Sequence, residues 1–214
     1  MTLGERPSIA LQWHHDRSPR HSADLSQMNI ESLDYRTLSE PDARAIAELL
    51  CAVWPKPDRT VETRTAQLLG QWRDHSGPED QHPRCFVVRE GGRIIAHSGA
   101  YPRTIGTRDG ELTILALARV CTDPATRGRQ LGAAVVRETF KLVDGGTFPW
   151  SLYQTSHQVR PFYEKLGACL ATNRIINSLA EDPTANPFWD EIAMRYPGRP
   201  GWPEGEIDLR GPGY

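Results

Sequence analysis

The residues best placed to do chemistry form one run: Val120-Cys121-Thr122-Asp123-Pro124-Ala125-Thr126-Arg127-Gly128-Arg129-Gln130-Leu131-Gly132. An apolar stretch of strand length, Leu112 to Ala118, precedes it. Ala133 to Val143 follows, with good helix formers and apolar positions three and four apart. The order is strand, short basic glycine-containing loop, helix. Such a loop delivers the chain to a helix N-terminus, where unpaired backbone N–H groups make an anion site. Arg127 and Arg129 add positive charge where a phosphate would sit. The chemistry is that of a pyrophosphate cradle, with an ordinary basic turn capped by glycine as the alternative. No Gly-Lys-Ser/Thr closes the loop, and the three-glycine dinucleotide spacing is missing, so two common nucleotide motifs are excluded.

The elements that must hold this loop can be read on either side of it. Ser39-Glu40-Pro41-Asp42 announces a helix, with Ser39 as N-cap and Pro and acids in the first turn. Ala43 to Trp54 carries the stripe Ile46, Leu49, Leu50 and Val53, and Pro55 and Pro57 end it. A second helix, Val61 to Arg73, puts Val61, Thr65, Leu68, Leu69 and Trp72 on one side. Arg84 to Arg89 and Ile94 to Ile105 flank a Gly91-Gly92 turn and predict a hairpin. Gly106 to Gly110 then turns the chain into the central strand. Asn29 to Leu38 fits a first strand loosely. After the loop helix, Gly145-Gly146 supply a left-handed end, and Pro149 to Gln154 is a short strand. A short helix around Pro161 closes at Gly167, and Cys169 to Leu179 is one or two strands.

Two segments together resemble the GNAT N-acetyltransferase superfamily. The loop is similar to its acetyl-CoA motif, Gln/Arg-x-x-Gly-x-Gly/Ala, with Arg127 first, Gly132 last and Gln130 where the middle glycine is expected. Glutamine can hold helical dihedrals, but its Cβ limits the approach of a phosphate. Phe162-Tyr163-Glu164-Lys165-Leu166-Gly167 is close to the family's FYEKLGF segment. The resemblance covers residues 84–180 well and 30–83 loosely. It implies an α/β fold of the α+β type: a mixed, mostly antiparallel sheet flanked by helices, with a splayed central strand pair. It also implies direct acetyl transfer from acetyl-CoA to a primary amine, with no metal.

The same resemblance assigns roles by position. Arg127, Gly128, Arg129, Gln130, Leu131 and Gly132 would hold the cofactor pyrophosphate. Backbone groups at Val120, Cys121 and Thr122, freed by a bulge, would bind the pantetheine arm and polarise the thioester. Tyr163 would donate a proton to the CoA sulfur, a phenol's pKa of about 10 being near a thiol's. Ser156 falls where many relatives carry a CoA-contacting asparagine. The early helical region would wall the acceptor site, with Trp54 and Trp72 as lining candidates and core packing as their alternative. Where many members carry a strand glutamate as base, this chain has Ala118, followed by Arg119. Glu111, acting through water, is one substitute. His97 has the right intrinsic pKa but is expected to be structural. No Cys/His nucleophile pair stands out, so transfer is expected to be direct. A non-catalytic CoA-binding module is the alternative function, and a different acyl group a third reading.

Composition sets the remaining bounds. The 214 residues suit one domain with extensions, and 38% hydrophobic with 24% charged content reads as globular. A net charge of −2 gives no reason to expect nucleic acid or an anionic membrane as partner. No apolar run approaches a membrane span, and no signal-peptide core opens the chain, so a cytoplasmic protein is expected. Cys51, Cys85, Cys121 and Cys169 are scattered and predict small buried hydrophobes rather than a disulfide framework or zinc site. Residues 1–28 are read as a flexible extension, in which Trp13-His14-His15-Asp16 has no partners at ligand spacing. Residues 29–180 form the domain. Residues 181–214 carry seven acidic residues against three arginines. Their aromatics, Phe188, Trp189, Tyr196 and Trp202, call for a surface to cover on the domain or on a second copy in a homodimer. Asn186 to Tyr196 reads as a short helix.

Overall fold

The computed structural model describes residues 29–214, so the Trp13-His14-His15-Asp16 segment and the N-terminal extension lie outside the described residues. Thirteen strands and α-helices run in the order β1 (Ile30–Asp34), α1 (Glu40–Val53), α2 (Val61–Gly70), β2 (Arg84–Glu90), β3 (Arg93–Thr107), β4 (Gly110–Thr122), α3 (Leu131–Asp144), β5 (Ser151–Thr155), α4 (Arg160–Glu164), β6 (Cys169–Leu170), β7 (Ile175–Ile176), β8 (Ile192–Tyr196) and β9 (Ile207–Asp208). The sheet is ordered β1-β2-β3-β4-β5-β8-β6, and β9 joins the far end of β3 and pairs with β7. β1 to β4 pair antiparallel in sequence, β2–β3 and β3–β4 through tight turns and β1–β2 across the α1/α2 connection, whereas β4 and β5 are parallel because α3 crosses between them. This is the mixed, mostly antiparallel sheet with flanking helices that the sequence implies.

Alternation along β4 decides what each face packs against. Ala116, Ala118 and Cys121 join Cys85, Val87 and Tyr101 beneath α1 and α2. Leu115 turns the other way, with Phe86, Val88 and Ala100, to meet Leu131 and Val135 of α3. The two covering helices begin where the sequence supplies caps: Ser39 accepts from the Asp42 N–H, and Thr60 from the Thr63 N–H. At the far end of the α1/α2 face, Ile105, Ile114 and Leu152 are covered by Phe188, Ile207 and Leu209 of the C-terminal segment.

That segment corrects one expectation. Asn186 to Tyr196 is not a helix: Ile192–Tyr196 is strand β8, antiparallel to β5 from Ser151↔Tyr196 to Thr155↔Ile192. The exposed edge of β5 needs a partner, and Ile192, Met194 and Tyr196 also satisfy a period of two, with Met194 fully buried. Gln154 on β5 ties the segment down. Its amide oxygen accepts from the N–H groups of Trp189 (2.8 Å) and Asp190 (2.9 Å), and its amide nitrogen donates to the Tyr214 carbonyl (2.8 Å).

The central strand carries one irregularity. Ala118 stands opposite Gly99 and Cys121 opposite His97, so Arg119 and Val120 face Ser98 alone. This bulge puts Arg119 at φ 55, the left-handed region that costs a side-chain-bearing residue about 1–2 kcal/mol. A buried hydrogen-bond circuit holds it there. The Arg119 guanidinium donates to Tyr101 Oη (3.3 Å), Tyr101 donates to Tyr35 Oη (3.1 Å), and Tyr35 donates to His97 Nε2 (2.8 Å). His97 Nδ1–H then donates to the Arg119 carbonyl (2.8 Å), closing the loop on the residue where it began. Gly99 makes room, because a Cβ there would lie 2.7 Å from Tyr101 Oη. Opposite the bulge, Ser98 bonds Thr139 of α3 at 2.7 Å.

The circuit requires a neutral imidazole that accepts at Nε2, and burial holds His97 down to about 4 from its usual 6.5. Between those pH values the unfolded chain takes up the proton and the folded chain refuses it. Stability contributed by neutral His97 is therefore complete above pH 6.5 and lost as pH falls toward 4, by roughly 3 kcal/mol over the window. Urea midpoints measured from pH 7 to pH 4 will show that loss in the parent, and it will be absent in His97→Gln.

Candidate active site

β4 and β5 start as neighbours and then part. Their register ends at Leu115↔Ser151 and Ala116↔Leu152, although both strands continue in the same direction. Beyond Ala116 the β4 backbone faces a gap rather than a partner. Tyr214 sits at the bottom of that gap, its hydroxyl donating to the Leu152 carbonyl at 2.9 Å. The bulge at Arg119 lies three residues beyond Ala116 and turns Val120, Cys121 and Thr122 into a new register. The splayed pair and the bulge expected from the sequence therefore fall on the same few residues.

The basic loop follows at the wide end of the gap. Asp123 accepts from the Ala125 N–H and starts a single 3-10 turn, Pro124–Thr126. Gly128 takes φ 87 and Gln130 φ 60, after which α3 begins. Gln130 thus does not adopt the helical dihedrals expected of it; it is a left-handed N-cap. Its side chain caps nothing, and the helix's first bond runs from the Ala134 N–H to the Gln130 carbonyl at 3.0 Å. Unlike α1 and α2, α3 therefore presents the N–H groups of Leu131, Gly132 and Ala133 outward, at the positive end of the helix dipole. Gly132 packs beside Thr122 and Phe162, where a Cβ would lie 3.5 Å and 3.8 Å from their side chains, an ordinary contact distance. Arg127 is exposed beside it. Arg129 is turned to Glu90, 2.9 Å away, so its charge is shared with a carboxylate.

Tyr163 reaches the same place from α4. It is 6% exposed, with its ring 4.7 Å from Tyr153 and 4.9 Å from Phe162. Burial, reinforced by Asp190 and Cys121, pushes its phenol above the usual range, so it is a protonated donor at neutral pH. Ser156, in the turn between β5 and α4, accepts from the Val159 N–H at 3.4 Å. Burial pushes the Cys121 thiol up to about 12, which makes it a packed hydrophobe rather than a nucleophile. Cys85, buried on the same face, behaves alike.

Two base candidates fare differently from the loop residues. Glu111 is at the opposite end of β4, across from Gly106, and is ion-paired with Arg210. Eight residues of strand put it roughly 25 Å from the bulge, so it is not part of this constellation. His97 is neutral, fully buried and committed at both nitrogens, as a structural residue should be. The sequence reading named Trp72 as a lining candidate but missed the side chains around it above the bulge: Tyr35, Tyr101 and the Arg119 guanidinium. One signal was available, a single cation in an otherwise apolar strand. Among the described residues no cluster of His, Cys, Asp or Glu is arranged for a metal ion, and no helix is long and apolar enough to cross a membrane.

Known proteins agree with this geometry. A GCN5-related N-acetyltransferase from Kribbella flavida superposes with a TM-score of 0.51 at 15% identity, over 69% of this chain. The match spans only 35% of that longer protein. An acyl-CoA N-acyltransferase from Pseudomonas aeruginosa gives 0.51 at 15% identity, over 79% of this chain and 99% of the other. A GNAT family acetyltransferase from Brucella melitensis, solved in complex with acetyl-CoA, gives 0.52 at 14% identity, over 85% and 96%. At such identities these likenesses show the fold. No curated protein matches the sequence significantly. The family model described as an acetyltransferase (GNAT) domain matches residues 34–171, which takes in α1, α2, the bulged strand, the basic loop and Tyr163. The chain belongs to the GNAT acetyltransferase family.

Proposed function

We propose that this acyltransferase moves an acetyl group directly from acetyl-CoA to a primary amine. The observation that carries the reading is the uncapped N-terminus of α3 at the mouth of the β4–β5 gap, with the Tyr163 ring beside it. The amides of Leu131 to Ala133 and the Arg127 charge suit a pyrophosphate. The β4 backbone from Leu117 onward has no partner strand on its β5 side, and amides of this kind suit the pantetheine arm and a polarised thioester carbonyl. The acetyl-CoA complex of the Brucella protein adds weight to that choice of donor.

The bonds then balance without a covalent enzyme intermediate. The neutral amine forms a C–N bond with the thioester carbonyl carbon, and the C–S bond breaks. Tyr163 gives its phenolic proton to the departing thiolate, the amine's surplus proton leaves to water, and water returns a proton to the phenolate. Cys121 and Cys85, both held as thiols, offer no competing nucleophile on this face.

Calorimetric titration with acetyl-CoA is the direct test. Micromolar binding by the parent, weakened at least tenfold in Arg127→Ala/Arg129→Ala, is the expected result, since each phosphate contact is charge-assisted. Gln130→Gly relieves the left-handed strain and the Cβ beside the phosphates, and is expected to bind severalfold more tightly. Tyr163→Phe should lower kcat by about ten- to a hundredfold with binding unchanged, as expected for loss of a general acid. Acetyl-CoA bound without thiol release across a broad amine panel would instead favour a non-catalytic CoA-binding module.

A further inference from the structure

The α1/α2 face beside the gap contains donors without acceptors. The Arg119 guanidinium, mostly buried, meets only neutral partners: Gln71 Oε1 at 2.8 Å, Tyr101 Oη at 3.3 Å and the Tyr101 ring at 5.6 Å. No carboxylate among the described residues pairs with it. The Trp72 ring also stacks on Tyr101, at 5.0 Å, and its Nε1–H is buried with no partner among the described residues. Arg64 lies in the first turn of α2. It is 7% exposed, its Nε has no partner among the described residues, and one Nη donates to the Trp54 carbonyl at 3.2 Å. Guanidinium and indole groups can only donate. Folded proteins leave few buried donors orphaned, and a cluster of them marks a missing acceptor. The strained backbone of Arg119 is a second sign, because left-handed φ at a large residue gathers at functional sites.

We propose that Arg119 and Trp72 form an anion subsite for a carboxylate carried by the acceptor amine, with Arg64 supplying a second positive charge. Gln71 occupies the position meanwhile. It is exposed at the end of α2, and its amide oxygen is the neutral stand-in that an incoming carboxylate displaces from Arg119. A planar guanidinium matches a carboxylate with two parallel bonds. Arg119 also directly precedes Val120 at the edge of the gap, so a group held there belongs to the molecule presenting its amine. The acceptor is then an amine with a carboxylate a few bonds away, of the kind found in amino acids, and amines with cationic arms are repelled. This assignment rests on the acetyl-transfer reading above and narrows its acceptor.

The test pairs amines that differ only in the carboxylate, such as tyramine with tyrosine and propylamine with β-alanine, and follows thiol release. The parent should prefer the carboxylate member by about tenfold or more in kcat/KM. That ratio should collapse toward one in Arg119→Gln and in Trp72→Phe, the second of which keeps the stack on Tyr101 and removes only the N–H. Gln71→Ala should raise it. No preference in the parent, a preference that survives both variants, or a stronger preference for an amine bearing a phosphomonoester would overturn the proposal. If acetyl-CoA binds but no amine releases thiol, the acetyl-transfer reading fails separately. The subsite is then read by calorimetric titration of tyrosine and β-alanine into the protein with CoA present. Binding lost in both variants supports the proposal, and no binding by the parent overturns it.

Discussion

The buried circuit through Arg119, Tyr101, Tyr35 and His97 is the constraint on which the rest of the architecture depends. A left-handed arginine in the middle of the central strand persists only if its surroundings over-determine it. Here both ends of one residue are held, the carbonyl by His97 and the guanidinium by Tyr101 and Gln71. With the bulge fixed, every residue of β4 beyond it is turned relative to the register before it, and the strand, already parted from β5 beyond Ala116, runs on unpaired on that side to the basic loop. A regular ladder would bury the same apolar side chains and leave no free backbone. The polar circuit therefore specifies a geometry that the hydrophobic pattern alone does not require.

The gap also needs a bottom and a far wall, and the C-terminal segment supplies both. β8 occupies the open edge of β5, Gln154 fixes Trp189, Asp190 and Tyr214, and the Tyr214 hydroxyl caps the Leu152 carbonyl where the two strands part. Without these contacts the end of β5 would be an unpaired edge carrying an exposed carbonyl, a poor termination for a sheet. The aromatic residues of this segment are consequently divided. Phe188 is buried over the far half of the sheet, whereas Trp189 stands 70% exposed one residue away.

What the sequence made legible follows from how local each signal is. α1 was set by Ser39, and both helices by their stripes of apolar residues and the prolines between them; the α2 cap, Thr60, emerged only in the structure. The β2–β3 hairpin was set by Gly91 and Gly92, which both take positive φ. The α3 loop was legible because glycine, arginine and a following helix are contiguous. Non-local choices were hidden. Residues 192–196 satisfy both a helix and a strand pattern, and only the free edge of β5 decides between them. Glu111 looked available because distance along the strand carries no information about which end faces the loop. The circuit partners of Arg119 come from β1, β3 and the end of α2, up to 84 residues apart in sequence between Tyr35 and Arg119. No spacing rule joins them.

The missing strand carboxylate is a packing consequence of the same arrangement. Ala118, at the position where many relatives carry a glutamate, is 7% exposed and shares its cluster with Tyr101, Cys121 and Leu68, while Tyr214 and Trp72 pack against that cluster. A carboxylate there would have to displace rings that hold the bulge in place, and an ionised one would be buried without a partner of its own. The small side chain at 118 and the large aromatic at 101 are therefore one decision. With the space above the strand filled by the residues that shape it, the proposed transfer would lose the amine's proton to the solvent side of the gap. Arg119, one residue along, is the charge that the proposed subsite would present to the acceptor.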